Sequence, residues 1–506
     1  MELTEQRAQE IIRKVITIAM VMATAVVAGW WVAHTHYLIA IGSLAAIGLA
    51  FFALNKPEIG IYGLLFFAQI ATVSGLGLHL PLGLNEFNLT FAVLMFVSVG
   101  EYALTKRWNF RLREEKVGNY LYLYYVVILV STLRAYLAFP HWDFVRSGLS
   151  LGTRGTLITS QFVKPAMYMG LFFFGLNYAR NMRQRRRFVM AVGCCLVLYA
   201  TTMFMQFFNV FPVLAGFAGG KEEGGILGSS IALGHLLGMF LVLFLARKPY
   251  FDRGTPLLFS LVIAGIGVVA LACTLIRIGW VLGILGWLML AMTTRRKPLM
   301  IFGVLSLAVV LASGPLWMPE RVKVYFEKST TQQQSLDAVL SGRLTIWGAV
   351  SEYLHQDPKR FIWGGGKFDF TVRGPELGLP WGFAVHQSIL QTLVDEGLIG
   401  VLVVLWIFAR VVPVLWRDWH RHPSEEVRCL SRLLLIVTLL LFLSGSPWDS
   451  RPASWYWFLL GMFFAAREEW TDGRPAAATV PVSVPQPRLV RAGTAPIGPA
   501  SPASAQ

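Results

Sequence analysis

His386 in VHQSILQTLVDEGLIG, Arg343 in SGRLTIW, Lys367 in WGGGKF and Arg277 in TLIRIGW are the residues of this chain whose types and settings fit chemistry. An imidazole with an ordinary pKa of about 6.5 takes up a proton at ambient pH, which suits a general base. Guanidinium and ammonium groups hold anionic oxygen, and a diphosphate is a natural bidentate partner for Arg. Together they point to chemistry on an anionic, lipid-borne substrate. Each also has a structural reading: His386 bonded to a loop carbonyl at a helix start, Arg343 stacked on Trp347 one turn away, and Arg277 snorkelling to outer headgroups. An ionisable group between two apolar runs, as Arg277 is, marks a functional candidate by default.

Further cations stand in two other loops. Lys221 in AGGKEEGG has Glu222 and Glu223 beside it, and Arg154 in GTRG accompanies Arg146 and Lys164. Gly364, Gly365 and Gly366 free the backbone before Lys367, either to cradle an anion or to turn the chain. A nucleotide-binding P-loop is excluded, because no GKS or GKT follows and no strand precedes. Neither a DxD pair nor a His and carboxylate cluster with metal spacing occurs in the loop. No metal and no cofactor is expected.

The elements that must position these residues are membrane helices. Hydrophobic residues make up 55% and charged residues 14%, and apolar runs of about 20 residues recur, each long enough to span hydrocarbon. The alternation of a membrane barrel is absent, so the expected fold is all-α: a polytopic transmembrane bundle of about twelve to fourteen spans. The spans read as 15–33, 37–54, 59–76, 88–104, 118–138, 161–179, 188–208, 227–246, 255–275, 278–294, 298–317, 397–416, 432–447 and 454–466. The amphipathic start at Glu2 to Lys14 leads straight into a span, which predicts an uncleaved amino terminus.

Basic clusters at Lys106–Lys116, Arg180–Arg187, Arg247–Arg253, Arg295–Lys297 and Arg417–Arg428 fall on one side if the amino terminus is inside. Both termini are then cytoplasmic, in the inner membrane of a bacterium. The segment 318–396 becomes one large, partly helical periplasmic loop between helices in 1–317 and 397–470. The stretch 471–506, rich in Pro, Ala, Ser and Val, is expected to be a disordered cytoplasmic tail. Net charge of +16 is accounted for by topology and by attraction to membrane lipids, with no recognisable module for nucleic acid.

Inside the loop, Ser341 can cap a helix that runs to Gln356 and stops at Asp357-Pro358, with Leu344, Trp347, Val350 or Ser351, and Leu354 on one face. A second helix opens at His386, with His386, Leu390 or Ile389, Leu393 and Gly397 on one face. Asp395 and Glu396 either orient the imidazole or end that helix.

The order of elements, an Arg at an outer helix turn, a GRxxxW element, a G-x-G turn and a His followed by GxxG, resembles the O-antigen ligase superfamily, which includes the Wzy-type polysaccharide polymerases. The resemblance is strongest from Leu271 to Gly400. It implies an inverting, metal-independent glycosyltransferase that takes a glycan from undecaprenyl diphosphate and passes it to an acceptor hydroxyl in the periplasmic leaflet. That acceptor is lipid A core for a ligase and another lipid-linked glycan for a polymerase. By resemblance His386 activates the acceptor, Arg277 holds the diphosphate, and Arg343 is the Arg of the GR element. Lys221 stands where a second phosphate-binding Arg is sought, and Gln387 replaces the Asn that often follows the His. Lys367, Trp347 and Arg154 are further candidates for substrate contact. A lipid-glycan flippase, with charges lining a pathway, is the alternative from another class.

Overall fold

The computed structural model describes residues 57–70, 86–105, 117–138, 157–207, 238–239, 243, 257–273, 283–288, 301, 303, 305, 343–367, 369–379, 385, 387–444 and 451–471. Among them every regular element is helical. The helices are α1 (Pro57–Ile70), α2 (Glu86–Thr105), α3 (Val117–Ala138), α4 (Lys164–Tyr178, entered through a π-turn at Thr159–Val163), α5 (Met182–Phe207) and α6 (Leu257–Cys273). Then follow α7 (Arg343–Gln356), α8 (Pro358–Trp363), α9 (Asp369–Arg373, continued by a 3-10 turn at Gly374–Leu377), α10 (Ser388–Arg421), α11 (Glu425–Ser444) and α12 (Arg451–Thr471).

Nine of the expected spans coincide with helices. The last two, expected to be short, are 20 and 21 residues long in α11 and α12. Among the described residues two helices, Val117–Leu137 and Ser388–Arg421, are long and apolar enough to cross a membrane by length and composition. The expected spans at 15–33, 37–54, 227–246, 278–294 and 298–317 lie wholly or mostly outside the described residues, as does the tail beyond Thr471.

The main core is built where α4 crosses α12. A Cβ on Gly175 would stand 2.1 Å from the Phe458 carbonyl oxygen, and one on Gly461 would stand 2.0 Å from that of Phe172. Only glycine at both positions lets the two backbones touch, the usual device for close helix contact in lipid. Phe172, Phe174, Trp455, Trp457 and Phe464 fill the space around this crossing and are buried.

One end of the bundle is held by charge. Buried Arg185 of α5 donates to Glu426 of α11 through Nε at 2.6 Å and to Glu469 of α12 through Nη2 at 2.5 Å, and its Nη1 reaches the Ala179 carbonyl at 2.9 Å. Arg467 meets Asp418 at 2.9 Å. The basic clusters at Arg180–Arg187 and Arg417–Arg428 therefore gather at one end, and α7 to α9 pack against the opposite end of α10.

Candidate functional site

The site is organised by a break in α10. Ser388 to Glu396 form a short helix and Leu398 to Arg421 a long one, and between them Gly397 takes φ 73°, ψ −171°. This conformation is open almost only to glycine. The break strips the Val394 and Asp395 carbonyls of their helical partners, which a buried backbone cannot leave unpaired. The glycine turn before Lys367 supplies them: Gly365 N donates to Val394 O at 2.8 Å and Gly366 N to Asp395 O at 3.0 Å. Ser131 Oγ of α3 donates to the same Asp395 carbonyl at 2.7 Å, and Arg134 of α3 donates to the Trp363 carbonyl. The triglycine thus seals a broken helix.

Lys367 follows that turn into a closed space. Its Nζ lies 3.2 Å from Asp395 Oδ2 and 2.8 Å from Glu396 Oε1, with all three side chains at 5% exposure or less. The Glu396 contact is an ion pair without hydrogen-bond alignment. With two carboxylates to one ammonium the trio is internally neutralised to within one charge. Lys367 therefore serves the loop from inside, and Asp395 and Glu396 clamp it rather than simply ending a helix.

A second network stiffens α7, α8 and α9. Tyr353 Oη donates to Asp369 Oδ2, and Arg373 Nε donates to Asp369 Oδ1 at 3.1 Å. The Arg360 guanidinium sits 4.7 Å from the Tyr353 ring centroid, the geometry of a cation–π contact. Burial, and then the Asp369 charge, push the Tyr353 phenol well above its ordinary range. Asp357 caps α8 by accepting from Lys359 N at 3.0 Å.

Helix α7 runs to Gln356 and stops before Pro358, as its sequence predicts. Its buried stripe differs: Ile346, Ala349, Val350 and Tyr353 face inward with Phe370, Leu379, Val385 and Val394, whereas Leu344 is exposed. Tyr353 takes the inward position because Asp369 satisfies its hydroxyl there. Trp347 and Leu354 pack at the margin of this cluster. The Trp347 indole N–H is buried without a hydrogen-bond partner among the described residues. Arg343 opens α7 half-exposed, and no ion pair, hydrogen bond or ring contact engages it among the described residues. The cation–aromatic contact considered for Arg343 and Trp347 is made instead by Arg360 and Tyr353.

The segment leading into α10 is tied on both sides of position 386. Gln387, the departure from the family pattern, is the N-cap: its side-chain oxygen accepts from Leu390 N at 2.6 Å. Val385 N donates to Gln391 Oε1 at 3.1 Å. His386 itself, Arg277, Lys221 and Arg154 lie outside the described residues. The structure thus brings Lys367, Trp347 and Arg343 into one loop unit. Sequence reasoning missed Tyr353, Asp369 and Gln391, although polar residues at 391 and 395, one helical turn apart beside apolar neighbours, carry the signal.

Residues 259–405 match the family model described as O-Antigen ligase. The matched stretch contains all but the first two residues of α6, the whole loop unit and the break at Gly397, and it supports the O-antigen ligase superfamily read from the motifs. Among curated proteins none matches the chain.

Proposed function

We propose that this chain, a membrane protein carrying an O-antigen ligase domain and so a glycan-transferring enzyme in general terms, moves a glycan from undecaprenyl diphosphate to an acceptor hydroxyl on the periplasmic side. The single observation that carries this reading is Arg343: a half-exposed guanidinium that no ion pair, hydrogen bond or ring contact engages among the described residues, in a loop where Arg360, Lys367 and Arg373 are each paired with a carboxylate. A cation left unpaired in this loop suits the oxygen atoms of a lipid diphosphate.

In the proposed reaction the acceptor O–H bond breaks and its proton passes to His386. The freed oxygen pair attacks the anomeric carbon from the face opposite the leaving group, and the configuration inverts. The bond from that carbon to the diphosphate oxygen breaks, and undecaprenyl diphosphate departs with the electron pair. Arg277, Arg343 and Lys221 neutralise the departing charge, a task that fixed cations perform without a metal ion. Base catalysis of this kind contributes about 10² to 10⁴-fold.

Transfer to lipid A core is the ligase reading, and transfer to another lipid-linked repeat unit makes the chain a polymerase. Purified protein supplied with a defined undecaprenyl-diphosphate oligosaccharide and each acceptor in turn tests both. The reading expects product with wild type, a loss of about 100-fold or more in His386→Ala, and weakened donor binding in Arg343→Ala. Full activity in His386→Ala would overturn it, and movement of the lipid across vesicles without any new glycosidic bond would favour a flippase.

A further inference from the structure

We propose that Gln391 is a positioning residue for the His386 segment, an inference that rests on the reading of His386 as the base. A continuous line of polar contacts runs from the glycine turn to the residue before His386. Lys367 Nζ meets Asp395 Oδ2 at 3.2 Å; Gln391 Nε2 donates to that same oxygen at 2.9 Å; and Val385 N donates to Gln391 Oε1 at 3.1 Å.

The direction of this line is fixed. A carboxylate only accepts and a backbone N–H only donates, so the Gln391 amide satisfies both neighbours in one orientation and neither in the other. Lys367 Nζ and Gln391 Nε2 both point donors at Asp395 Oδ2, so that oxygen acts as the acceptor and holds the amide the right way round. On the far side of position 386, Gln387 caps the helix and Ser388 Oγ donates to the Leu441 carbonyl at 3.0 Å. Two ends of a four-residue stretch are then anchored differently: Val385 to the clamp through Gln391, and Ser388 to α11. Removing Gln391 releases the first anchor and leaves the second in place. A displacement of about 1 Å in a reacting group can cost about 100-fold in rate.

The test uses the purified full chain with an undecaprenyl-diphosphate oligosaccharide donor, and compares Gln391→Leu, Gln391→Glu and His386→Ala. Gln391→Leu keeps the bulk and removes both hydrogen bonds. It is expected to lower kcat about tenfold or more while donor KM stays within about twofold, a split that lost stability alone does not produce. Gln391→Glu retains an acceptor for Val385 N but sets a second carboxyl against Asp395, in a space also faced by Glu396, Lys367 and Tyr353. The two carboxylates push the introduced carboxyl to bind a proton more readily, and Lys367 opposes this. Its rate relative to wild type is therefore expected to climb as pH falls, because a shared proton rebuilds the bond to Asp395.

Wild-type kcat in Gln391→Leu overturns the proposal, as does a flat ratio of Gln391→Glu to wild type across pH if Gln391→Leu is poorly folded. If His386→Ala is inactive while Gln391→Leu is normal, the positioning role alone falls. If His386→Ala is fully active, the base assignment falls and takes the positioning role with it.

Discussion

Gly397 and Gly364 approach so closely that a Cβ on Gly397 would stand 2.3 Å from the Gly364 amide nitrogen and equally close to the Ile362 carbonyl oxygen. Each glycine is indispensable to the other's position, since a Cβ on Gly364 would in turn meet the Asp395 carbonyl oxygen at 2.4 Å. Gly397→Ala is expected to cost about 1–3 kcal/mol for the backbone conformation alone, with the steric clash in addition. Thermal unfolding in detergent should show a clearly lowered midpoint, and transfer activity should fall with it.

Lys367→Met leaves Asp395 and Glu396 facing each other in a closed space without a cation. The expected loss is about 3–5 kcal/mol, the usual consequence of orphaning a buried charge. Adding Asp395→Asn and Glu396→Gln to Lys367→Met removes the charges and should recover a large part of the loss. Unfolding midpoints of the single and triple variants, compared as a cycle, check this.

Tyr353 gives the loop an alkaline limit. Its folded pKa is raised by burial and by Asp369, so the folded state prefers the protonated phenol. The associated stability is complete below about pH 10, where the unfolded chain's tyrosine is still protonated, and is lost as pH rises beyond it. Stability of wild type measured from pH 8 to 11 should fall more steeply than that of Tyr353→Phe. At pH 8 the Phe variant is expected to be weaker by about 1.5–3 kcal/mol for the missing bond to a charged acceptor.

The legible part of this structure was whatever depends on period and punctuation. Apolar runs overlap nine helices, with ends that differ by up to nine residues, and Asp357-Pro358 marked the end of α7. The identity of α7's buried stripe was not legible, because the choice of Tyr353 over Leu344 depends on Asp369, which lies 16 positions away. The break in α10 was equally hidden: Gly397 reads as one more small residue on a helix until the triglycine is seen filling the hydrogen bonds it opens. Lys367 looked like a cation for a ligand, since sequence spacing does not reveal that Asp395 and Glu396 close over it.

Arg185→Met orphans Glu426 and Glu469 at the end of the bundle away from the loop, with an expected cost of about 3–5 kcal/mol. Arg185→Lys should recover only part, because an ammonium lacks the planar fork with which Arg185 binds both Glu426 oxygens while reaching Glu469 and the Ala179 carbonyl. The turnover of the molecules that remain folded should match wild type, which a transfer assay normalised to folded protein would verify.

The crossing of α4 and α12 also sets a timetable. Arg185, at the start of the helix after α4, finds its partner Glu469 only 284 positions later, and the glycine faces of α4 and α12 are separated by a comparable length of chain. During synthesis the glycine face of α4 cannot meet its partner until α12 has emerged. A ribosome that stops before residue 451 therefore releases a chain in which α4 lacks this crossing, although α1 to α5 already pack on one another.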